Sequence, residues 1–337
     1  MGDTGSVCLN QTKYTIKSSI YTGRYSTTYL VEQSHNERYP HQLACKLFRP
    51  NEENILEQIT EEITTVSECS RVNNIIQFYG SNTSNPDSIY FFTEYFPHTL
   101  NSLFNLPIPE DSLFEIVHGI ACGVAYLHAH SPALVYFNIA KEHILFSSDF
   151  TVKLCDFGNT RKASQFYYRR DNDHLIIQSV VEQIGDANYI APEMVAIYDN
   201  EPISRKCDVW ALGCLLFELA TGVPPFSLPI TLSQFKNFSL EKKTMSKKMK
   251  TVIIEMLTYD QTKRPNIYSV LQLIAKTIEF NNPFESLIEQ KDDDFCDGKK
   301  PIKNTPTQST GEFWNLVDRK IVDCTVEKSL LDTYNDI

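Results

Sequence analysis

The sequence has no run of about 18 apolar residues, the length a helix needs to cross a bilayer, so no membrane-spanning segment is expected. It has no charged-then-apolar leader pattern, and its Asn-x-Ser/Thr sequons therefore carry little weight. Its nine cysteines show no paired C-x-x-C spacing, and Cys155, Cys207 and Cys214 sit inside apolar runs. They read as reduced, cytosol-facing thiols, not as a disulfide frame or a zinc site. Basic residues are in deficit: 31 Lys and Arg stand against 42 Asp and Glu, giving a formal net charge of -11 and a pI ≈ 5.3. General nucleic-acid binding needs a basic footprint, so no nucleic-acid partner is expected. No internal repeat is present.

What remains is a chain of 337 residues that is 42% hydrophobic and 12% aromatic, enough for a sizeable core in one large domain or two lobes. Residues 14 to 96 read mostly as strands with one helix. Ile20 to Val31 alternates around Gly23 like a hairpin, and Leu43 to Phe48 and Ile89 to Phe96 read as strands. Between them, Ile55, Ile59, Ile63 and Val66 recur at helical spacing. From Leu113 onward helices dominate, with one apolar face on Leu113, Ile116, Val117, Ile120, Val124 and Leu127 and a second helix over Asp208 to Ala220. The fold expected is α+β and bilobal, a small β-rich lobe (14–96) followed by a large helical lobe (97–278). Residues 1–13 are expected to be a terminal segment and 279–337 a polar tail.

Phosphoryl transfer needs a lysine on the phosphates, a carboxylate holding that lysine, metal ligands, and a base for the incoming hydroxyl. Leu43-Ala44-Cys45-Lys46 is a buried strand ending in a lysine, like the V-A-I-K strand of protein kinases. Glu62 follows on the helical stripe, where it can pair with Lys46. Taken singly these are weak signals, because a lysine at a buried edge is usually structural and a helical glutamate usually faces solvent. Asp156-Phe157-Gly158 then places an aspartate just after a strand. Ala191-Pro192-Glu193, Asp208-Val209-Trp210-Ala211-Leu212-Gly213 and Lys263-Arg264-Pro265 follow, with Arg264 placed to pair with Glu193. One three-residue motif arises easily by chance, but five in order do not. Over residues 14 to 278 the chain resembles the protein kinases.

The segment VKLCDFGNTRK resembles the Numb-associated kinase family. LIIQSVVEQIGDANYIAPEM and the start MGDTGSVC are similar to a myristoylated and palmitoylated serine/threonine kinase within it. The resemblance implies ATP and Mg as cofactors and a cytoplasmic protein attached to Golgi, endosomal or plasma membranes. It further implies protein partners among endocytic or Golgi trafficking factors. It places Ile20, Gly23, Thr28, Ala44, Lys46, Thr93, Glu94 and Phe96 around the nucleotide. Thr93 is then the gatekeeper, and the backbone of Glu94 and Phe96 pairs with adenine. Gly2 fits a myristoylation pattern and Cys8 a palmitoylation site, and one acyl chain alone gives only marginal anchoring; the competing reading is an unstructured terminus. Asn282-Pro283-Phe284 fits a tripeptide bound by endocytic adaptors, with a simple turn as the competing reading.

The pattern breaks where a kinase catalytic loop reads H-R-D-L-K-x-x-N. Here Tyr136, Phe137 and Asn138 replace the His, Arg and base Asp, Ala140 replaces the loop Lys, and His143 replaces the metal-binding Asn. In the activation segment Asp186 stands where a Thr is usual. A neutral amide cannot accept the substrate proton as a carboxylate does, a loss of about 10²- to 10⁴-fold. Magnesium wants oxygen ligands, so His143 is a poor partner for Asp156. Without an Arg at 137, no activation-loop phosphate switch is expected. Of the glycine-rich loop only Gly23 remains, which weakens the phosphate cradle. The expected function is a pseudokinase that binds ATP weakly and acts as a scaffold or regulator in membrane traffic or signalling. The alternatives are a slow ATP-dependent serine/threonine kinase and a nucleotide-gated binding switch.

Overall fold

The computed structural model describes residues 5–23, 25–33, 38–49, 53–85, 88–103, 108–146, 151–167, 187–195, 202–228, 231–240 and 245–278. Gly2, Asp186, the Asn-Pro-Phe tripeptide at 282–284 and the tail from 279 lie outside them. The chain divides into two compact units, residues 1–97 and 98–337.

The first unit is an antiparallel sheet with one helix. Its strands are β1 (Ser6–Leu9), β2 (Thr12–Thr22), β3 (Ser26–Glu32), β4 (Gln42–Phe48), β5 (Phe78–Asn82) and β6 (Ile89–Thr93), in the order β1-β2-β3-β4-β6-β5. Strand side chains alternate between the two faces, and here each face has a distinct use. Val7, Leu9, Tyr14, Val31, Leu43, Cys45 and Phe92 form an apolar cluster on one side. Lys46, one residue out of phase with Cys45, points to the other. The two outer strands approach each other, with Leu9 of β1 lying over Gly80 of β5. A Cβ at position 80, where φ is +151°, would come within 2.7 Å of the Leu9 Cδ1. The sheet therefore begins at Ser6. Residues 6–13, ahead of the expected boundary at 14, thus contribute Val7 and Leu9 to the core.

Helix α1 (Glu53–Cys69) packs on β5. Ile59 and Val66 are buried. Glu62, three residues after the first and four before the second, is carried onto the same inward face.

The second unit is helical around two small sheets. After β7 (His98–Thr99) come α2 (Leu100–Leu103), α3 (Glu110–Ala129), β8 (Leu134–Val135), β9 (Ile144–Phe146), β10 (Val152–Leu154), β11 (Arg161–Lys162) and α4 (Ser164–Tyr167). Then follow α5 (Pro192–Val195), α6 (Lys206–Thr221), α7 (Leu232–Lys236), α8 (Lys247–Met256) and α9 (Ile267–Ile278). The strands pair as β10-β9-β7 and as β11-β8. Helix α3 is long and apolar enough to cross a membrane, a candidate the sequence reading did not single out, but 78% of its apolar window is buried within the protein. It packs against α6 and α9, and α6 packs against α8. Gly213 permits the last contact, since a Cβ there would lie 2.8 Å from the Met256 Cβ.

Candidate functional site

In the first unit, register decides which side chains share a face. Thr28 of β3 stands opposite Lys46 of β4, which stands opposite Phe91 of β6; one row along, Ala44 stands opposite Thr93. Directly paired residues project to the same side of a sheet. Thr28, Ala44, Lys46 and Thr93 therefore form one patch on the face away from the Tyr14 cluster. Lys46 Nζ donates to Glu62 Oε1 at 2.6 Å, and the side chains are 14% and 6% exposed. Glu62 is thus a buried carboxylate with a cationic partner, the arrangement that makes burial of a charge tolerable.

Ile20 lies at an irregularity of the β2–β3 register and is exposed. Gly23 closes the hairpin, its N–H donating to the Ser26 carbonyl at 2.9 Å. Glu94 and Phe96 are half-buried. The Glu94 N–H donates to the Gln77 carbonyl at 3.0 Å, and the Glu94 carboxylate accepts from the Gln77 N–H at 2.8 Å. Glu94 is thereby fixed, and its N–H is already taken by the Gln77 carbonyl.

The second unit holds the loop of residues 136–143. Asp208, at the start of α6 and 1% exposed, accepts from the Tyr136 and Phe137 backbone N–H groups at 2.8 and 2.9 Å and contacts His128 Nε2 at 2.9 Å. The carboxylate clamps the loop backbone whatever side chains that backbone carries. Phe137 adopts φ 57° and Asp156 φ 58°. Such left-handed conformations cost of order 1–3 kcal/mol per non-glycine residue and persist only where the surroundings enforce them.

Side chains of the loop turn inward. The Tyr136 hydroxyl donates to the Cys155 carbonyl at 2.5 Å, and its ring lies 5.5 Å from that of Phe157. Phe137 is buried and lines a small apolar recess with Ile139, Tyr189, Met194 and Cys207. Asn138, 1% exposed, donates from Nδ2 to the Asp156 carbonyl at 2.8 Å and accepts at Oδ1 from Asn159 Nδ2 at 3.4 Å. Ala140 is fully buried. Lys141, next in sequence to Ala140, is turned to Glu218 of α6, which also accepts from the Tyr189 hydroxyl.

His143 meets Asp156 directly: Nε2 lies 3.3 Å from Oδ2, and Nδ1 lies 3.1 Å from the Asn138 carbonyl. A carbonyl only accepts, so Nδ1 carries a hydrogen; the carboxylate contact is attractive only when Nε2 carries one too. Magnesium takes six oxygen ligands in a near-octahedral shell. The loop offers the Asp156 carboxylate, already faced by an imidazole, and the Asn138 amide oxygen, already facing Asn159. The residues present do not fit a magnesium site.

Sequence reasoning named Lys46, Glu62, Asn138, His143 and Asp156. The structure pairs the first two in one unit and brings the last three together in the other. It missed Asp208 as the loop's clamp and the Lys141–Glu218–Tyr189 cluster. An acid opening the apolar run Val209 to Phe217 was the available signal for the first. Cys8 is exposed on β1 and Gly2 lies outside the described residues.

Residues 14–274 match the family described as protein kinase domain. The chain belongs to that family. It is 27% identical over 259 residues to the Serine/threonine-protein kinase AKL1 of Saccharomyces cerevisiae, covering 72% of this chain and 23% of that protein. It is 25% identical over 284 residues to the protein kinase domain-containing protein ppk38 of Schizosaccharomyces pombe, covering 78% and 42%. It is 30% identical over 187 residues to Actin-regulating kinase 1 of Saccharomyces cerevisiae, covering 52% and 28%. The chain spans less than half the length of each of these relatives. The β-sheet unit and the helical unit are the two lobes of this kinase domain.

Proposed function

We propose that this kinase-domain chain is a pseudokinase of the Numb-associated type, which takes up ATP weakly and works by binding other proteins. The observation that carries the reading is Asn138. The base position holds a neutral amide whose nitrogen and oxygen are both committed to the segment that follows β10. Ala140 supplies no cation, and the neighbouring Lys141 is tied to Glu218. Base loss alone removes about 10²- to 10⁴-fold, and positioning alone recovers little when the phosphoryl group has no cation beside it. Lys46 and Glu62 retain the pairing that holds a nucleotide phosphate in this family, which favours binding without turnover.

Protein partners in endocytic or Golgi traffic, and a cytosolic membrane surface reached through acylated Gly2 and Cys8, form the remainder of the proposal. The family resemblance supports them, and the exposed Cys8 side chain is compatible with them.

A slow serine/threonine kinase is the second reading, favoured by the intact Lys46–Glu62 pair and by relatives named as kinases. Transfer of radiolabelled phosphate from ATP to generic protein substrates decides between them. Turnover near about 1 per second, the lower end for kinases, overturns the pseudokinase reading. Thermal unfolding with and without millimolar ATP tests the binding part. Wild type is expected to shift upward and Lys46→Ala is expected not to; no shift in wild type leaves a scaffold that takes no nucleotide.

A further inference from the structure

We infer that the His143 imidazole takes the place of a divalent cation at Asp156, so that any nucleotide this chain takes up is taken without magnesium. The nucleotide half of this rests on the binding proposed above; the exclusion of the cation does not.

Three features carry the inference. The first is the direct contact, His143 Nε2 to Asp156 Oδ2 at 3.3 Å. The second is how firmly the ring is held. His143 is 7% exposed, and its Nδ1 donates to the Asn138 carbonyl. Its backbone N–H donates to the Ala140 carbonyl, and its own carbonyl accepts from the Cys155 N–H, each at 3.0 Å. The ring cannot swing aside without surrendering a hydrogen bond in a buried place. The third is the loss of oxygen ligands. The Asn138 amide oxygen already faces Asn159 Nδ2 at 3.4 Å, and turning the amide over would set that oxygen against the Asp156 carbonyl, where the amide nitrogen now donates.

The substitution is partial, because the ring reaches only Asp156 Oδ2. A magnesium ion carries two charges and binds phosphate and carboxylate oxygens together. An imidazole can donate to one acceptor per nitrogen, and both of its nitrogens are used here. A nucleotide therefore gains no bridge to Asp156, which accounts for weak, cation-indifferent uptake.

The test compares ATP affinity of the wild-type chain and His143→Asn in excess EDTA and in millimolar magnesium chloride. For wild type the two values are expected to agree within about twofold. His143→Asn restores a second oxygen ligand and is expected to bind ATP at least tenfold tighter with magnesium, about 1.4 kcal/mol. A tenfold magnesium gain in wild type overturns the inference, as does a folded His143→Asn variant that binds ATP but gains nothing from the cation. Manganese EPR without nucleotide separates this from the binding proposal. The wild-type chain is expected to leave the free Mn²⁺ signal undiminished. Uptake of Mn²⁺ that disappears in Asp156→Asn overturns the inference even if ATP never binds. Absence of ATP binding in every buffer, with no Mn²⁺ uptake, overturns the nucleotide proposal and supports the exclusion of the cation.

Discussion

Asn138 donates its side-chain amide to the backbone carbonyl of Asp156 at 2.8 Å. The residue standing where a kinase places its base is therefore a strut between the catalytic loop and the segment that follows β10. An aspartate could not make this bond, because an ionised carboxylate only accepts.

Asn138→Asp is accordingly expected to fail as a rescue. The new carboxylate would be 1% exposed and would face a carbonyl oxygen, and losing one partner of a buried hydrogen bond costs about 1–3 kcal/mol. Ala140 and His143 would be unchanged. Phosphotransfer is expected to stay at background, and the denaturant midpoint to fall. Restoration of kinase-like turnover by this single change would show that the other two positions matter little.

The Arg264–Glu193 pair is expected to dominate the stability of the helical lobe. Arg264 donates to both carboxylate oxygens of Glu193, at 2.7 and 3.0 Å, with side chains 0% and 2% exposed. Its guanidinium also lies 4.9 Å from the centre of the Trp210 ring. Removing one member of a buried pair leaves the other charged and desolvated, typically at a cost of about 3–5 kcal/mol. Glu193→Ala and Arg264→Ala are each expected to lose this much in chemical denaturation. The double variant is expected to lose less than the sum, since the second change removes the stranded charge.

Much of this was legible in sequence. The Lys46–Glu62 pair followed from strand alternation and helical spacing, and the Arg264–Glu193 pair from two motifs in order. What stayed hidden depends on contacts between residues far apart in the chain. Asp208 clamps a loop 71 and 72 residues earlier, and no local pattern reports that. Strand β1 was missed because four residues are too few for a periodicity, and only pairing with β2 and packing over Gly80 make them a strand.

Acid is expected to weaken the fold through His118. Burial within α3 pushes its imidazole down from 6.5 to about 4. The unfolded chain takes up this proton near 6.5, while the folded chain resists until about 4. The sign follows: stability is complete above 6.5 and is lost as the pH falls from 6.5 towards 4, by roughly 3 kcal/mol at the lower end. Denaturation at pH 7.5 and pH 4.5 measures it for wild type and for His118→Gln. The variant is expected to lose less stability over that interval, and an equal loss in both would mean that His118 is not the group responsible.

The terminal strand gives the last prediction, because β1 assigns opposite roles to neighbouring residues. Val7 and Leu9 are 7% and 1% exposed and join the Tyr14 cluster, while Ser6 and Cys8 face outward. Leu9→Ala is expected to cost about 2–5 kcal/mol, as for other buried leucines. Cys8→Ser is expected to change stability by less than about 0.5 kcal/mol, as at other exposed positions. Any effect of Cys8→Ser on localisation then reports its chemistry and not a damaged fold. Thiol labelling of the native protein checks the exposure: Cys8 is expected to react quickly. Cys45 and Cys69, whose thiols burial pushes up to about 12, are expected to stay silent. A single myristoyl chain holds a protein to a membrane only marginally, so the proposed anchor needs both sites. Gly2→Ala is expected to move the protein wholly into the soluble fraction, since Cys8 would then rarely meet a membrane acyltransferase. Cys8→Ser is expected to leave a reversible, partial association. A Gly2→Ala protein that stays in the membrane fraction defeats the lipid proposal, and any membrane contact would then have to come from protein partners.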